Sequence, residues 1–317
     1  MLCALALALP AMRDVAVAQE YPSRPIRLVV PFAAGGTATI NARVVADQLA
    51  QQLGQPVVID NRPGANGMIG IQIVAQSPPD GHTMLYTTTS IAINPGFYKN
   101  LPYDLARDLR PVTIIATGLG NVLLAHPAFP PRSAKELIAS AKQKPVHYSS
   151  AGIGNSTHLM MEMFAAAAAV KMTHVPYKGV APAMAAVIGG EVHVMFIPPT
   201  AAVPHIKAGR VRVLGFSGKS RWAVLPDVPT IAEAALPGWH KDSGFNVWLA
   251  PGRTPSRISH ALQREIHKAL QLPKVRDVFV NGAYETLGNT PPEATVYLRQ
   301  QVKLYADIAR RIGIVPE

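Results

Sequence analysis

Two glycine-containing loops hold the residues whose types and spacing could bind an anion. The first runs from Phe32 to Thr39 and lies between a β-branched run and a segment with helical periodicity. Its glycines let the backbone approach a ligand closely, and the helix that follows begins with unpaired N–H groups and the positive end of its dipole. Such a helix start binds an anion without lysine or arginine. An ordinary tight strand-to-helix turn has the same pattern. The candidate ligand-binding residues of this loop are Phe32, Ala34, Gly35, Gly36, Thr37 and Thr39.

The second loop, from Ser149 to His158, repeats the order of strand, glycine turn, hydroxyl residues and helix start. It does not complete the dinucleotide-binding pattern G-x-G-x-x-G, because Thr157 occupies the last position. One such loop in each half of the chain would form a two-sided clamp for a carboxylate. The candidate ligand-binding residues of this loop are Ser150, Gly152, Gly154, Ser156, Thr157 and His158.

Three further positions have two interpretations each. Thr88 follows a strand and either binds the distal part of a ligand or simply ends a threonine-rich strand. Tyr177 lies in a turn flanked by proline and glycine, where a place in a cleft and plain exposure are equally compatible with the sequence. His158 could act as a base, but no nucleophile or orienting acid accompanies it, which favours a structural hydrogen bond. The spacing of the histidines does not match a metal site, and we expect no metal and no cofactor.

Short β-branched runs alternate with segments of helical periodicity, which predicts an α/β fold. Strands are predicted at 26–32, 57–59, 84–88, 122–125, 146–149, 192–197, 211–216 and 246–250. Helices are predicted at 39–53, 68–76, 157–168, 254–270 and from 290 onwards, with another that Ser133 caps. The last helix should bury Leu298, Val302, Tyr305, Ala309 and Ile312, which recur at spacings of four and three.

Proline-rich stretches at 94–111 and 225–238 predict two crossings between domains. The predicted division is a discontinuous first lobe, residues 19–118 plus 228–317, and a second lobe, residues 119–227. Ligands of open α/β sheets bind beyond the carboxyl ends of the strands. The site should therefore lie in a cleft between the lobes.

The N-terminus indicates the compartment in which the protein acts, and the distribution of charge limits the partners that it can bind. The apolar run from Leu2 to Met12 is too short to span a bilayer, and Ala16-Val17-Ala18 follows it. This pattern predicts a secretory signal peptide, residues 1–18, and a periplasmic protein, although a frayed terminal helix is the alternative. The only cysteine, Cys3, would be removed with it. The net charge of +11 comes from scattered basic residues, which argues against nucleic-acid binding.

With these residues the chain resembles the Bug receptors, the extracytoplasmic binding proteins of tripartite tricarboxylate transporters. The shared motifs are YPSRPI (21–26), VPF (30–32), GG (35–36), AR (42–43), GQPVV (54–58), NRPGA (61–65), PDG (79–81), LPYD (101–104), GIG (152–154) with HL (158–159), HVPYKG (174–179) and LPDVPT (225–230). The resemblance implies a type II periplasmic-binding-protein fold whose two lobes close on a small acid. It also implies that the two loops described above hold the ligand carboxylate.

The chain departs from that family at three positions. The family usually has proline where this chain has Ala34, and aspartate where it has Thr39 and Ile197. Losing acidic groups near the site removes acceptors for an amino or hydroxyl group of the ligand. The resemblance therefore implies an unsubstituted organic acid rather than an amino acid.

The sequence thus predicts a monomeric receptor that captures a mono- or dicarboxylate by hinge closure and delivers it to a membrane permease. Two rivals stay open at this point. One is an enzyme acting on a small acid, and the other is a surface-interaction protein with a vestigial cleft.

Overall fold

The computed structural model describes residues 21–311. The expected signal peptide, Cys3 and Ile312 lie outside the described residues. Within them the chain forms two β-sheets, each covered by helices on both faces. The predicted α/β class and the two-lobed architecture are confirmed.

The first sheet has six strands in the order β11-β4-β10-β3-β1-β2. Their bounds are β1 Ile26–Val30, β2 Val57–Asn61, β3 Thr83–Thr88, β4 Leu109–Gly118, β10 Phe245–Pro251 and β11 Tyr284–Thr286. β1 pairs in parallel with β2 and β3, whereas β10 pairs antiparallel with β3 and β4. The helices of this lobe are α1 Thr37–Leu53, α2 Met68–Ala75, α3 Ser90–Phe97, α4 Leu105–Asp108, α10 Ser256–Gln271, α11 Pro273–Asn281 and α12 Pro291–Arg311, with a short 3₁₀ turn at Ala65–Gly67.

The second sheet has five strands in the order β7-β6-β8-β5-β9. Their bounds are β5 Val122–Ala125, β6 His147–Ser150, β7 Thr173–Pro176, β8 Val194–Ile197 and β9 Arg212–Phe216. The helices of this lobe are α5 Ala134–Gln143, α6 Ser156–Ala168, α7 Val180–Ile188, α8 Pro199–Lys207 and α9 Ile231–Ala234. β6 runs parallel to both neighbours, and β5 runs antiparallel to both of its own.

The returning strand β10 shows why the first sheet is a buried layer. Trp248 and Ala250 pack into the core on one face, and Phe245, Val247 and Leu249 pack into the core on the other. Side chains of a strand alternate between its two faces, so an apolar run of this kind needs helices on both sides.

The last helix follows its predicted pattern. Leu298, Tyr305 and Ala309 are buried, and the partly buried Val302 packs against the same core.

The predicted crossings need correction. Residues 94–111 contain the end of α3, all of α4 and the start of β4, which belong to the first lobe. The chain passes to the second sheet between Gly118, where β4 ends, and Val122, where β5 begins. Sequence reasoning missed β4 because Pro111 lies within it, and a proline argues against a central strand. In the structure Pro111 pairs with Leu249 of β10.

The return was expected at residue 228, but the segment after it still packs on the second lobe. Ile231 belongs to the core of the second sheet, and Trp239 packs against that core. A Cβ atom at Gly215 would lie 2.7 Å from the Ile231 side chain, so the glycine leaves room for the isoleucine. The first sheet resumes only with β10 at Phe245.

The two lobes are in contact beyond the connecting segments. Helix α8 of the second lobe packs against α1 and α11 of the first. Across the described range 21–311, helices of the length and apolarity needed to cross a bilayer are absent.

Candidate ligand-binding site

A cleft lies between the lobes at the point where α1 and α6 both begin. The space between its walls, including the part that is open to solvent, is about 460 Å³. Fourteen residues line it: Phe32, Gly36, Thr37, Ala38, Thr88, Ala151, Asn155, Ser156, Thr157, Val180, Pro198, Ser243, Phe245 and Tyr284. None of these fourteen is an ionisable lysine, arginine, histidine, aspartate or glutamate. The lining therefore offers hydroxyls, an amide, backbone groups and apolar surface.

The loop from Phe32 to Thr39 presents an open helix start to this cleft. α1 begins at Thr37, two residues earlier than predicted, and Gly36 precedes it in an extended conformation without a side-chain cap. The Thr37 hydroxyl is buried and has no hydrogen-bond partner in the protein. A buried hydroxyl without a partner costs free energy, which a ligand atom in the cleft would recover.

Thr39 does not line the cleft, and its side chain instead helps to hold this loop in place through Asn61. Its hydroxyl accepts a hydrogen bond from the Asn61 side chain at 2.9 Å, and Asn61 also donates to the Phe32 carbonyl at 2.9 Å. Asn61 ends β2 directly beside Val30 of β1. Sequence reasoning missed Asn61, although its place at the carboxyl end of a parallel strand was a usable signal.

The loop from Ser149 to His158 is filled by its own side chains. Asn155 caps α6, and its side-chain oxygen accepts from the Thr157 N–H at 3.1 Å. The Thr157 hydroxyl accepts from the Ala151 N–H at 2.9 Å, and the Ser150 hydroxyl accepts from the Gly152 N–H at 3.1 Å. These amides are therefore engaged within the loop.

His158 belongs to a stack of rings behind the second loop. Its Nδ1 accepts from the Gly154 N–H at 3.2 Å, and its ring lies 4.0 Å from the His174 ring. Burial lowers the pKa of His158 and lowers that of His174 to about 3, so both rings are neutral at pH 7. The His174 Nε2 lies 2.6 Å from the Ser150 hydroxyl. This geometry supports the structural interpretation of His158.

The structure brings six of the sequence-derived candidates to the cleft. They are Phe32, Gly36, Thr37, Thr88, Ser156 and Thr157. The others do not line it: Ala34, Gly35, Thr39, Ser150, Gly152, Gly154, His158 and Tyr177. Ala34 and Gly35 are exposed, and the Tyr177 hydroxyl donates to Glu191 at 3.3 Å. Tyr177 and Gly152 face a neighbouring opening between the lobes.

Residues of the returning chain form a wall of the cleft that sequence reasoning missed. Ser243, Phe245 and Tyr284 all line it. Burial raises the pKa of Tyr284 to about 12, so its hydroxyl stays protonated. The usable signal was the start of β10, since ligands bind at strand ends in such sheets.

Glycines let the two lobes approach each other beside the cleft. A Cβ atom at Gly36 would lie 3.4 Å from the Val180 Cβ of the opposite lobe. Gly154, at φ 70, would place a Cβ atom 3.3 Å from the side chains of Asn66 and Phe97 in the first lobe. Gly154 thus serves the contact between lobes instead of the cleft itself.

Comparison with known proteins decides the family. Residues 41–314 match the model of the tripartite tricarboxylate transporter family receptor. The chain is 33% identical to BugT of Bordetella pertussis over 300 residues, which cover 93% of this chain and 91% of BugT. This chain belongs to that receptor family. The resemblance to the Bug receptors is confirmed.

Solved structures agree with this assignment. An R. palustris protein solved with adipate superposes with a TM-score of 0.89 at 33% identity, covering 94% of this receptor and 100% of that chain. MatC from Rhodopseudomonas palustris, solved with bound malate, superposes with a TM-score of 0.83 at 28% identity, covering 91% of this receptor and 99% of MatC.

The positions where this receptor departs from the family pattern lie away from the lining. Ile197 is fully buried at the end of β8, in the core of the second lobe. Thr39 holds the first loop, and Ala34 is exposed. In the described part of the chain no group of three or more His, Cys, Asp or Glu residues is arranged to hold a metal.

Proposed function

We propose that this receptor captures a small, unsubstituted organic acid, a mono- or dicarboxylate, between its lobes. The observation that carries the proposal is the uncapped start of α1 beside the buried, unpartnered Thr37 hydroxyl in the cleft. Backbone N–H groups and the dipole at a helix start favour a negative charge. In a cleft that excludes water, such donors act more strongly than they do at an exposed surface.

The absence of acidic side chains from the lining supports a ligand without an amino group. A buried ammonium group needs a carboxylate or several oxygen acceptors to replace its water. Phe32, Val180 and Phe245 instead offer apolar surface to a hydrocarbon body. The structural relatives solved with adipate and with malate support a carboxylate as the ligand class.

We further propose that the receptor works in the periplasm as a monomer and delivers the acid, unchanged, to a membrane permease. The predicted signal peptide and the receptor family support this location and this partner. Ligand contacts with both lobes favour the closed form, which would be the form that the permease recognises.

Calorimetric titration with adipate, succinate, malate, aspartate and glutamate tests the proposal. We expect adipate and succinate, which are unsubstituted, to bind more tightly than malate and than either amino acid. Thr37→Val should weaken binding at least about tenfold, because a hydrogen bond to a charged group is worth about 1.5–3 kcal/mol. Thr254→Val is the matched control, since Thr254 is another buried threonine with an unpartnered hydroxyl, away from the cleft. Tight binding of aspartate or glutamate, or equal effects of the two substitutions, would refute the proposal.

A further inference from the structure

A row of buried amide side chains connects the two lobes beside the cleft. Asn155 of the second lobe donates to the Asn66 oxygen at 3.3 Å. Asn66 in turn donates to the Asn94 oxygen at 2.7 Å, and Asn94 donates to the Tyr103 hydroxyl at 3.2 Å. All four side chains are buried. The row thus runs from the ligand cleft into the core of the first lobe.

The partners at the cleft end fix the direction of this row. The Asn155 oxygen accepts from the N–H and the hydroxyl of Thr157, both at 3.1 Å. Its amide nitrogen is therefore the group that faces the first lobe. Each carboxamide in the row then donates with its nitrogen and accepts with its oxygen, an arrangement in which neighbouring hydrogen bonds strengthen one another.

The backbone places Asn66 where it can reach across. Asn66 is left-handed, with φ 47 and ψ 37, a conformation that asparagine tolerates better than most residues. Its neighbour Ala65 is also left-handed at φ 45. Gly154 completes the contact, because a Cβ atom there would lie 3.3 Å from the Asn66 nitrogen.

We propose that Asn66 is a positioning residue for ligand capture, forming a latch with Asn155 that exists only when the lobes are closed. Asn155 both lines the cleft and caps α6. The latch therefore ties lobe closure to the geometry of one of the two loops at the cleft. When the lobes separate, Asn66 and Asn155 each form hydrogen bonds with water instead. Closure is therefore favoured only by the difference in free energy between the Asn66–Asn155 bond and those bonds to water. The effect on ligand affinity rests on the proposed function, whereas the effect on closure does not.

A distance measurement between the lobes tests the latch without any ligand. Asp47 and Lys142 are exposed, one on each lobe, and their replacement by cysteine in a Cys3→Ser background gives two labelling sites for spin-echo spectroscopy. Asn66→Gly removes the carboxamide and keeps a residue suited to the left-handed backbone. Ala65→Gly is the matched control, because it makes the same kind of change at the exposed neighbouring position. We expect Asn66→Gly to lengthen or broaden the distance distribution and Ala65→Gly to leave it unchanged.

Binding of adipate supplies the second readout. Losing about one net hydrogen bond from the closed form should weaken affinity about fivefold, chiefly through faster dissociation. The second variant, Asn155→Ser, keeps a capping hydroxyl and removes the amide that donates to Asn66. In the Asn155→Ser background, Asn66→Gly should have little further effect on the distance distribution.

Three outcomes are separable. Unchanged distances in Asn66→Gly overturn the latch. Full additivity of the two substitutions also overturns it, because residues that act through one contact are not additive. If no acid binds to any variant while the distances shift as expected, the latch stands and the proposed ligand class fails.

Discussion

The two strand-to-helix loops at the cleft have the same sequence pattern and opposite structures. In the loop at 32–39, the helix start is uncapped and a threonine hydroxyl lacks a partner. In the loop at 149–158, asparagine, threonine and serine side chains occupy the amides. The difference lies in the residue before each helix, which is Gly36 in one loop and Asn155 in the other. A glycine-rich turn therefore offers an anion site only where the capping position leaves the N–H groups free.

The largest loss of ligand affinity should come from Gly36→Val, which changes the residue that distinguishes the first loop from the second. The new side chain would meet Val180 of the opposite lobe, 3.4 Å from the Cβ position, and would also enter the cleft. Overpacking of about 1–3 kcal/mol corresponds to a loss of affinity of up to about 100-fold. Titration with adipate measures it. Ala34→Val, at an exposed position of the same loop, should bind like the unmodified receptor; equal losses in both would show that the loop, and not the approach of the lobes, is at fault.

Matched threonine substitutions should separate binding from stability. Thr37→Val removes an unpartnered hydroxyl, so we expect weaker ligand binding with little change in the free energy of unfolding. Thr157→Val removes the acceptor for the Ala151 N–H and a donor to Asn155, so we expect a loss of about 1–3 kcal/mol in stability. Urea denaturation and titration of the same samples test the pair. The contrast between the loops fails if Thr37→Val is the more destabilising of the two.

Removing the caps should give smaller effects. Asn155→Ala and Ser133→Ala each delete an N-cap of the second lobe, at α6 and α5 respectively. Ser133→Ala should cost about 1 kcal/mol in the free energy of unfolding. Asn155→Ala should cost more than that, because it also leaves the buried Asn66 oxygen and the Thr157 hydroxyl without this partner. Only Asn155→Ala should also change ligand affinity, because Asn155 lines the cleft and Ser133 does not. A change in affinity with Ser133→Ala would contradict this assignment.

Mild acid should also separate the two loops, because two buried histidines, His158 and His174, lie in or behind the second loop. Burial lowers the pKa of His158 and of His174 from the ordinary value of 6.5. The unfolded chain then binds more protons than the folded one below about pH 6.5. The contribution of these two histidines to the free energy of unfolding is therefore fully present above that pH. It falls as the pH decreases toward the folded pKa, which for His174 is about 3.

Urea denaturation at several pH values measures this dependence. His174→Gln should make the decline between pH 6.5 and 5 shallower. His260→Gln, at an exposed position of α10 in the first lobe, is the control. Identical slopes in the two variants would remove His174 as a cause.

Much of the fold could be predicted from the sequence because its elements have strong local signals. β5 begins and ends at the predicted residues, and α6 differs from prediction by one residue. β4 was missed because it contains Pro111, and the boundary at residue 228 was wrong because Ile231 packs beneath Gly215. Both errors depend on tertiary contacts, which no local pattern encodes.

The candidate site was predictable only in part, and for a related reason. Gly36 and Thr37 follow from the helix-start argument, and Thr88 from its place at a strand end. Ser243 and Tyr284 reach the cleft from more than 200 residues further along the chain than Phe32, through pairing of distant strands. Asn155 was assigned to an anion-binding loop, although asparagine before a helix is a strong sign of a self-capped one.

The uncharged lining has a consequence for the empty receptor. A binding site built from arginine or lysine leaves repelling or strongly hydrated ions behind when its cargo departs. Here the departing acid leaves only dipoles, which water satisfies at little cost. Opening of the empty cleft therefore breaks no ion pair between charged side chains of the lining. Moderate changes in salt concentration should alter the rate at which the acid arrives far more than the rate at which it is released.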